Sequence, residues 1–284
     1  MADPRAYPFA DLALSRRLER TEAQSNIDFV EARARAFPES RARHIEVAGT
    51  HAMFDGIGSP LTQTFGLGIE QPVTQADLVR IEGFFEDLGA PVFHEVSPLA
   101  DPTALTLLNE FNYEPFELTS VMFRPIAPDM YQAGTSLGSV GARLIRADEM
   151  EVWAETSSGG WSETKELSEF MLTFSRVSAG KTSGYSFLAE SFGKPIAAGG
   201  LTIHGGVALL AGASTVPEGR RQGVQNALLE TRLRFAAEHG CDVAMMCALP
   251  GSASQRNAER HGFRIAYTRI KWRKAVTYTG APAS

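Results

Sequence analysis

The sequence predicts an α+β protein of two similar units built from strands and helices. Segments with helical and with strand-like spacing of apolar residues alternate along the whole chain. One order of elements also occurs twice: a glycine that ends a helix, a strand, a proline-bearing turn, a helix, and an aromatic residue that opens a strand pair. The first copy spans 24 positions from Gly89 to Tyr113 and the second spans 23 from Gly240 to Phe263, which indicates an internal duplication.

The duplication places a boundary near the middle of the chain. Residues 125–141 contain Pro125, Pro128 and the Gly/Ser-rich run 134–139, a composition that is typical of a linker. We therefore predict a first domain over residues 1–125, a linker over 126–141 and a second domain over 142–284.

The first domain is predicted to begin with a long helix. Apolar residues recur there at helical spacing between charged ones until Pro38 ends the pattern. Two short strands follow, around a loop with several turn signals. Thr74 is a typical N-cap for the next helix, and Gly89 stops that helix. The predicted helices of this domain cover 11–36, 74–88 and 102–111, and the predicted strands cover 43–47, 62–69, 91–96 and 113–124.

The second domain repeats this order with more strands. Residues 157–161 contain two serines, two glycines and Trp161, and this composition predicts an exposed loop. Gly193-Lys194 and the run 204–206 are typical of hairpin turns. The predicted helices cover 149–155, 166–179, 224–239 and part of 250–263, and the predicted strands cover 142–146, 186–190, 195–203, 207–213, 243–248 and a pair that ends at 273.

Composition excludes several functional classes. With 284 residues, 44% of them hydrophobic and 21% charged, the chain is typical of a globular protein. Its net charge of -6 argues against a nucleic-acid binder. No apolar run is long enough to span a bilayer, and the N-terminus lacks the apolar core of a signal peptide.

The cysteines indicate a reducing compartment. Cys241 and Cys247 lie six positions apart in one predicted strand, too far apart to form a disulfide with each other. We expect two reduced thiols in a cytoplasmic protein. No His, Cys and Asp cluster has the spacing of a metal site, so no metal is expected.

Residues 207–227 predict an anion site. An apolar strand leads into the turn Pro217-Glu218-Gly219, then Arg220-Arg221-Gln222-Gly223, and a helix starts at Val224. The first backbone N–H groups of a helix lack internal partners and lie at the positive end of its dipole. A glycine that permits close approach and two adjacent arginines favour a phosphate there.

The spacing Arg220-x-x-Gly223-x-Gln225 resembles the pyrophosphate loop of the GNAT acetyltransferase superfamily. Val216-Pro217 before the loop, Leu228-Leu229 after it and Gly262-Phe263 at the end of a later helix are also typical of that family. Gln225 departs from the pattern, because the family usually has glycine or alanine at that position. The resemblance covers about residues 140–275 and implies an α+β fold of two GNAT-like units in tandem, each a mixed, mostly antiparallel sheet flanked by helices.

The resemblance implies that acetyl-CoA binds to the second domain as the co-substrate. Backbone groups of three residues after the strand would pair with the pantetheine arm, and the backbone amides from Arg221 to Asn226 would hold the pyrophosphate, with Arg220 or Arg221 adding charge. The predicted set is Ser214, Thr215, Val216, Arg220, Arg221, Gln222, Gly223, Val224, Gln225 and Asn226.

The predicted catalytic residues depart from the family pattern. Members often carry a tyrosine four residues before the glycine of Gly-Phe, where it protonates the leaving thiolate, and this chain has Ala258. Ser254, one helical turn earlier, and the adjacent Asn257 are the candidates for a hydrogen bond near the sulfur. The candidates for a general base are Glu218, Glu190 and His204, each of which also has a purely structural interpretation.

The first domain is predicted to be a degenerate copy that binds no cofactor. The segment before its second helix, residues 68–73, contains no arginine and places Glu70 where a pyrophosphate would need attraction. We expect this domain to cover a sheet edge or to form a wall of the acceptor pocket.

The leading functional hypothesis is an N-acetyltransferase, or more broadly an N-acyltransferase, that acts on the amine of a small-molecule or peptide acceptor. One alternative is an acyl-CoA-binding regulatory or scaffolding protein without catalytic activity, which the missing tyrosine favours. A dinucleotide-binding oxidoreductase is a second alternative. It is disfavoured because no G-x-G-x-x-G follows a first strand.

Overall fold

The computed structural model describes residues 6–131, 140–161 and 165–275, and within them the chain forms seven α-helices and eleven strands. The helices are α1 Leu12–Ala36, α2 Gln75–Glu86, α3 Pro102–Glu110, α4 Met150–Gly159, α5 Lys165–Ala179, α6 Val224–Glu238 and α7 Ala253–Arg260. The strands are β1 Arg43–Val47, β2 Thr50–Phe54, β3 Gln63–Phe65, β4 Phe93–Val96, β5 Tyr113–Pro125, β6 Val140–Leu144, β7 Gly184–Ser191, β8 Lys194–His204, β9 Val207–Thr215, β10 Val243–Ala248 and β11 Arg264–Lys274.

All eleven strands belong to one sheet with the order β1-β2-β3-β4-β11-β5-β10-β9-β8-β7-β6. Only the pairs β3–β4 and β9–β10 are parallel. The architecture is therefore mixed and mostly antiparallel, which confirms the predicted α+β class.

The two halves of the chain exchange their last strands. β5 of the first half lies between β10 and β11 of the second, and β11 lies between β4 and β5 of the first. Each half has a parallel pair joined by a helix, α2 between β3 and β4 and α6 between β9 and β10. The repeated order agrees with the predicted duplication, but the sheet runs without interruption from one half into the other.

Helix α1 packs on the sheet where the halves meet. Leu14 and Leu18 lie in a core cluster with Val121 of β5 and Tyr267 of β11. The other face of the second half is covered by α6, whose Leu228 and the residues around it pack on β6, β7, β8 and β9. Helix α1 therefore contacts strands of both halves.

Local signals explain most element boundaries. The Asp11 side chain caps α1, and Thr74 forms a reciprocal capping box with Asp77 at the start of α2. Gly89 follows α2 with a φ of 66°, in the left-handed region that glycine adopts without strain.

Several elements differ from the sequence prediction. The strand pairs predicted after Tyr113 and after Phe263 are each one long strand, β5 and β11. Strand β2 was not predicted, and only Gln63–Phe65 of the predicted strand 62–69 forms one. The predicted exposed loop at 157–161 is also wrong in its first half. Helix α4 continues to Gly159, and Ser157 and Ser158 are buried because they pack against β9 and α5.

The predicted linker is partly outside the described residues, since 132–139 are not described. Of the remainder, Ile126 is buried and its amide donates to the carbonyl of Asp242, while Val140 opens β6. The division of the chain into two domains stays a prediction.

We expect that residues 140–284 do not fold as a soluble unit by themselves. Without the first half, β11 loses both neighbouring strands and β10 loses β5, which exposes apolar strand edges that promote aggregation. Size-exclusion chromatography of this fragment alone, and co-expressed with residues 1–131, checks this. The fragment is expected to aggregate when it is expressed by itself and to form a soluble complex when it is co-expressed with residues 1–131. A monomeric, cooperatively unfolding fragment would contradict it.

Candidate active site

The turn before α6 presents a run of unpaired backbone amides. Gly223 stands at the N-cap of α6 with a φ of 78° and supplies no side-chain cap. Arg221 also has a positive φ, 64°. Among the described residues, the amides from Arg221 to Gln225 have no hydrogen-bond acceptor, whereas the amide of Asn226 already donates to the Gly223 carbonyl at 3.0 Å. Five of the six predicted amides are thus free to bind an anion.

The side chains around this turn leave the amides accessible. Arg220 and Arg221 are exposed, and within the described part of the chain neither forms an ion pair. Gln222 donates to the Glu218 carbonyl at 2.7 Å, and Gln225 donates to the Thr215 hydroxyl at 2.5 Å. Val224 is buried beneath the turn. The sequence-predicted loop residues therefore come together as one positively charged, open surface.

The strand before the loop separates from its parallel neighbour. β9 pairs with β10 only through Val207–Leu209. Its pairing with β8 shifts register between Ala198 and Gly200, and Gly212 opposite the shift has a φ of 62°. Such a β-bulge bends a strand. The two strands consequently diverge and leave an opening through the sheet.

A cavity of about 550 Å³ occupies this opening. Its walls come from β9, β10, α6, α7 and α1. They contain Ser254, Asn257 and Gln225 of the predicted set together with Glu22, Ser25, Asn26, Trp161, Leu209, Leu210, Ala211, Gly212, Ala213, Leu229, Arg232, Met246, Cys247, Ala253 and Ala258. The volume lies within the range of about 300–1,000 Å³ that is usual for ligand sites.

The end of β9 is tightly packed against α4. A Cβ atom placed on Gly160 would lie 2.8 Å from the Thr215 amide nitrogen and 2.5 Å from the Ser214 Cβ. The Ser214 hydroxyl donates to the Ser157 carbonyl. The Val216 amide donates to the Ile196 carbonyl and its carbonyl accepts from Gly219. Both backbone groups of Val216 are therefore engaged within the fold.

The two candidate catalytic residues on α7 face the cavity together. Ser252 caps this helix, which leaves Ser254 outside the cap. Within the described residues, neither the Ser254 hydroxyl nor the Asn257 side chain has a hydrogen-bond partner, and both line the cavity. Ala258 is buried beside them, so no acidic hydroxyl occupies its position.

Helix α1 supplies polar residues that the sequence analysis did not identify. Glu22, Ser25 and Asn26 line the cavity from the first half of the chain. The signal was present, because these polar residues interrupt the apolar face of α1 at three- and four-residue spacing. A sequence alone does not show which distant cavity such a face meets.

Glu22 belongs to a buried ionic cluster centred on Arg269. This guanidinium contacts Glu19 at 3.1 Å, Glu22 at 2.7 Å and Glu95 at 3.5 Å. Burial raises the pKa of Glu19 and of Glu95, and the charge of Arg269 partly offsets this effect. One cation thus holds three carboxylates from α1 and β4 beside the cavity.

Cys247 is a further partner of Glu22. Its thiol donates to the Glu22 carboxylate at 3.1 Å, and burial raises the pKa of that thiol well above its ordinary value. Burial raises the pKa of the other cysteine, Cys241, to about 11. Both cysteines are free and protonated at neutral pH, so neither is a thiolate nucleophile.

The three predicted general bases lie away from the cavity. Glu218 is exposed and pairs with Lys194 at 3.4 Å, and Glu190 pairs with Arg143 at 2.5 Å. His204 is exposed in the hairpin between β8 and β9. The structure therefore brings none of them to the predicted acyl-transfer site, since none of the three lines the cavity.

The corresponding loop of the first half is closed. A Cβ atom on Gly68 would lie 3.0 Å from that of Ala104, and Arg16 donates to the Ile69 carbonyl at 3.1 Å. Glu70 pairs with Arg20 at 2.6 Å. The start of α2 already carries its Thr74 side-chain cap, whereas the start of α6 is uncapped. The two loops therefore differ in accessibility, and a first half that binds no cofactor stays a prediction.

Two classes of site are absent from the described ranges. There, no group of three or more His, Cys, Asp and Glu side chains could hold a metal ion. Likewise, none of the described helices combines the length and apolar character that a bilayer crossing requires.

We expect Arg269→Met to lower the free energy of unfolding by about 3–5 kcal/mol at pH 8, because it leaves buried carboxylates without a counter-ion. The loss should be smaller at pH 5.5. Burial raises the pKa of Glu19 and of Glu95, so the folded state takes up protons and is favoured as the pH falls. Urea unfolding at both pH values measures this.

Arg273→Met on the same strand is the matched control for Arg269→Met. Arg273 pairs with Glu114 at the surface, with 47% of its side chain exposed. An exposed pair contributes about 0–1 kcal/mol. Equal losses from the two substitutions, or a loss for Arg269→Met that does not change with pH, would contradict the role assigned to the cluster.

Comparisons with known proteins agree with this geometry. Residues 147–263 match the model of the acetyltransferase (GNAT) family. Among solved structures, a GCN5-related N-acetyltransferase from Kribbella flavida is similar at 19% identity and a TM-score of 0.62, over 88% of this chain and 95% of that one. The comparison with curated proteins finds no match.

Two further structures share the fold. A GCN5-related N-acetyltransferase from Sphaerobacter thermophilus has 16% identity and a TM-score of 0.52, over 75% of this chain and 71% of that one. A tandem GNAT protein from the clavulanic acid biosynthesis pathway has 12% identity and a TM-score of 0.55, over 80% of this chain and 79% of that one. Residues 147–263 thus match the acetyltransferase (GNAT) family, within a fold that the chain shares with a tandem GNAT protein.

Proposed function

We propose that the protein is an N-acyltransferase that transfers the acetyl group of acetyl-CoA to the amine of a small-molecule or peptide acceptor. The observation that carries the proposal is the run of free amides before α6, which stands beside a cavity that passes through the diverging strands β9 and β10. Oriented amides at a helix start bind phosphate, and the cavity accommodates a thioester.

The proposed acetyl-CoA site combines a charged end and an apolar channel. The amides of Arg221, Gln222, Gly223, Val224 and Gln225 would hold the pyrophosphate, with charge from Arg220 and Arg221. The Asn226 side chain would act only at the rim, since its amide is engaged. Thr215 would contact the pantetheine arm beside Gln225, which donates to its hydroxyl, and Val216 would contribute its side chain because its backbone groups are engaged. Ser214 is buried and hydrogen-bonded to Ser157, so it would support this segment from behind.

The acceptor is proposed to approach from the α1 side of the sheet. Its amine nitrogen attacks the thioester carbonyl, the carbon–sulfur bond breaks, and the nitrogen loses a proton. Glu22 is the carboxylate that lines this part of the cavity, and we assign it the role of proton acceptor. The Ser254 hydroxyl and the Asn257 amide would donate hydrogen bonds to the leaving thiolate, which then takes up a proton.

A protein that binds acyl-CoA without turnover is the second candidate, and the observation that favours it is Ala258 in the place of the usual tyrosine. Binding and turnover separate the two candidates. Calorimetry with acetyl-CoA, followed by thiol release with a panel of amines, distinguishes an enzyme from a regulatory or scaffolding protein. No nucleic-acid or membrane partner is proposed, and the cytoplasmic location stays a prediction.

Substitution of the loop tests the acetyl-CoA site. Gly223→Asp with Arg220→Glu should weaken acetyl-CoA binding by about 100-fold or more, since at least two hydrogen bonds to a charged group are lost at about 1.5–3 kcal/mol each. Gly193→Asp is the matched control, because Gly193 also has a φ near 76° and open space around its Cβ position. If the double variant bound acetyl-CoA with unchanged calorimetric affinity, the loop would be excluded as the pyrophosphate site.

Substitution of Glu22 tests its role as the proton acceptor in acyl transfer. Glu22→Gln should lower kcat by about 10²–10⁴-fold, the usual contribution of a general base, with unchanged acetyl-CoA affinity and a monomodal melting transition. Ser254→Ala should lower kcat less, and Arg260→Ala on the exposed end of α7 should leave it unaltered. A kcat for Glu22→Gln within threefold of the parent would exclude Glu22 as the proton acceptor.

A further inference from the structure

A second cavity, of about 270 Å³, adjoins the first. The two cavities share wall residues on α1 and β9, and both touch Trp161. The walls of the smaller cavity are mostly apolar and aromatic, with contributions from Phe29, Leu61, Trp153, Trp161, Met171 and Phe174. It lies next to the proposed thioester position and has the size of a small-molecule subsite.

The aromatic walls are held in place by the fold. Trp153 is buried and its indole N–H donates to the Phe187 carbonyl at 3.1 Å. Phe29 of α1 packs on Phe174 of α5 with ring centroids 4.5 Å apart. Trp161, at the end of α4, is 45% exposed and stands where the two cavities meet. The cavity therefore has rigid apolar walls and one exposed ring at its edge.

Lys181 brings a cation into this apolar cavity. Its Nζ donates to the hydroxyls of Ser25 at 3.1 Å and Thr202 at 3.0 Å. An ammonium has three N–H groups, so one remains for a further acceptor. Gly184 leaves room for the lysine, since a Cβ atom there would lie 3.1 Å from the Lys181 Cε.

The described residues provide no carboxylate within ion-pair distance of Lys181. Asp28 on α1 is engaged elsewhere, because it accepts hydrogen bonds from Gln24 and Ser183. Burial lowers the pKa of Lys181 to about 8, an effect that the charge of Asp28 only partly offsets. An ammonium without a paired anion in an apolar environment is costly, and an anionic group on a ligand would relieve that cost.

We propose that the acceptor is a small amine with an apolar body and a carboxylate, and that Lys181 binds this carboxylate while the aromatic walls hold the body. An apolar α-amino acid has this chemistry. The inference rests on the proposed acyl transfer, because that reaction makes the smaller cavity an acceptor site. Lys181 thus determines specificity and takes no part in the transfer of the acetyl group.

The test combines turnover with direct binding. Thiol release from acetyl-CoA is measured with the matched pairs phenylalanine and 2-phenylethylamine, and leucine and 3-methylbutylamine. Binding of phenylacetate and 4-methylpentanoate, which carry no amine, is measured by calorimetry in the presence of CoA. At least one acid should be preferred over its decarboxylated partner by about 10- to 100-fold in kcat/KM, as expected for a hydrogen bond to a charged group.

Lys181→Met should abolish this preference. It should raise KM for the acid while kcat/KM for the decarboxylated amine stays within about twofold, and it should remove phenylacetate or 4-methylpentanoate binding. Lys274→Met, which removes a surface ion pair with Glu82, is the control, and thermal melting verifies that both variants fold. Lys181→Arg should retain part of the preference.

The outcomes separate the two proposals. Carboxylate binding that depends on Lys181 without any turnover would support the subsite and contradict acyl transfer. Turnover without a preference for acids, and with equal carboxylate binding by the parent and Lys181→Met, would overturn the subsite alone. A loss of kcat for acids and decarboxylated amines alike in Lys181→Met would also overturn it, because that result identifies Lys181 as a base.

Discussion

The pairing of β5 with β11 is the constraint on which the rest of the structure depends. These two long antiparallel strands come from opposite halves of the chain, and each lies next to the penultimate strand of the other half. Because the exchange closes both internal edges, the sheet is continuous and the two repeats cannot separate without breaking their central strands. The parallel pairs β3–β4 and β9–β10 are thereby fixed on either side of the centre, and the opening between β9 and β10 becomes a permanent feature of the fold.

The ionic cluster of Arg269 connects this centre to the proposed active site. Arg269 lies on β11, one of the exchanged strands, and binds carboxylates from α1 and β4. It therefore holds α1 against the sheet and directs Glu22 toward the cavity. The first half of the chain thus supplies a wall and a charged group to a cavity beside the proposed phosphate loop of the second half.

The two halves show how one local motif can be open or closed. Both have a helix that starts after a strand of the parallel pair, but the first amides of α2 are capped by Thr74 while those of α6 are free. The packing of Ala104 against Gly68 and the ion pair of Glu70 close the first loop. An uncapped helix start needs water or an anion to satisfy its amides, and the start of α6 is therefore the place where we propose that the pyrophosphate binds.

The sequence by itself determined the α+β class, the duplication, most helix and strand positions and the phosphate-loop pattern, because these depend on short-range periodicity, caps and glycine geometry. Tertiary structure decided the strand exchange, since antiparallel neighbours distant in the chain carry no local signal. It also decided that Glu22, Ser25 and Asn26 of α1 meet Ser254 and Asn257 of α7 at one cavity. Conversely, three residues with the right chemistry for a base lie away from the cavity, namely Glu190, His204 and Glu218. Packing, and not residue type, determines whether a side chain reaches a distant cavity.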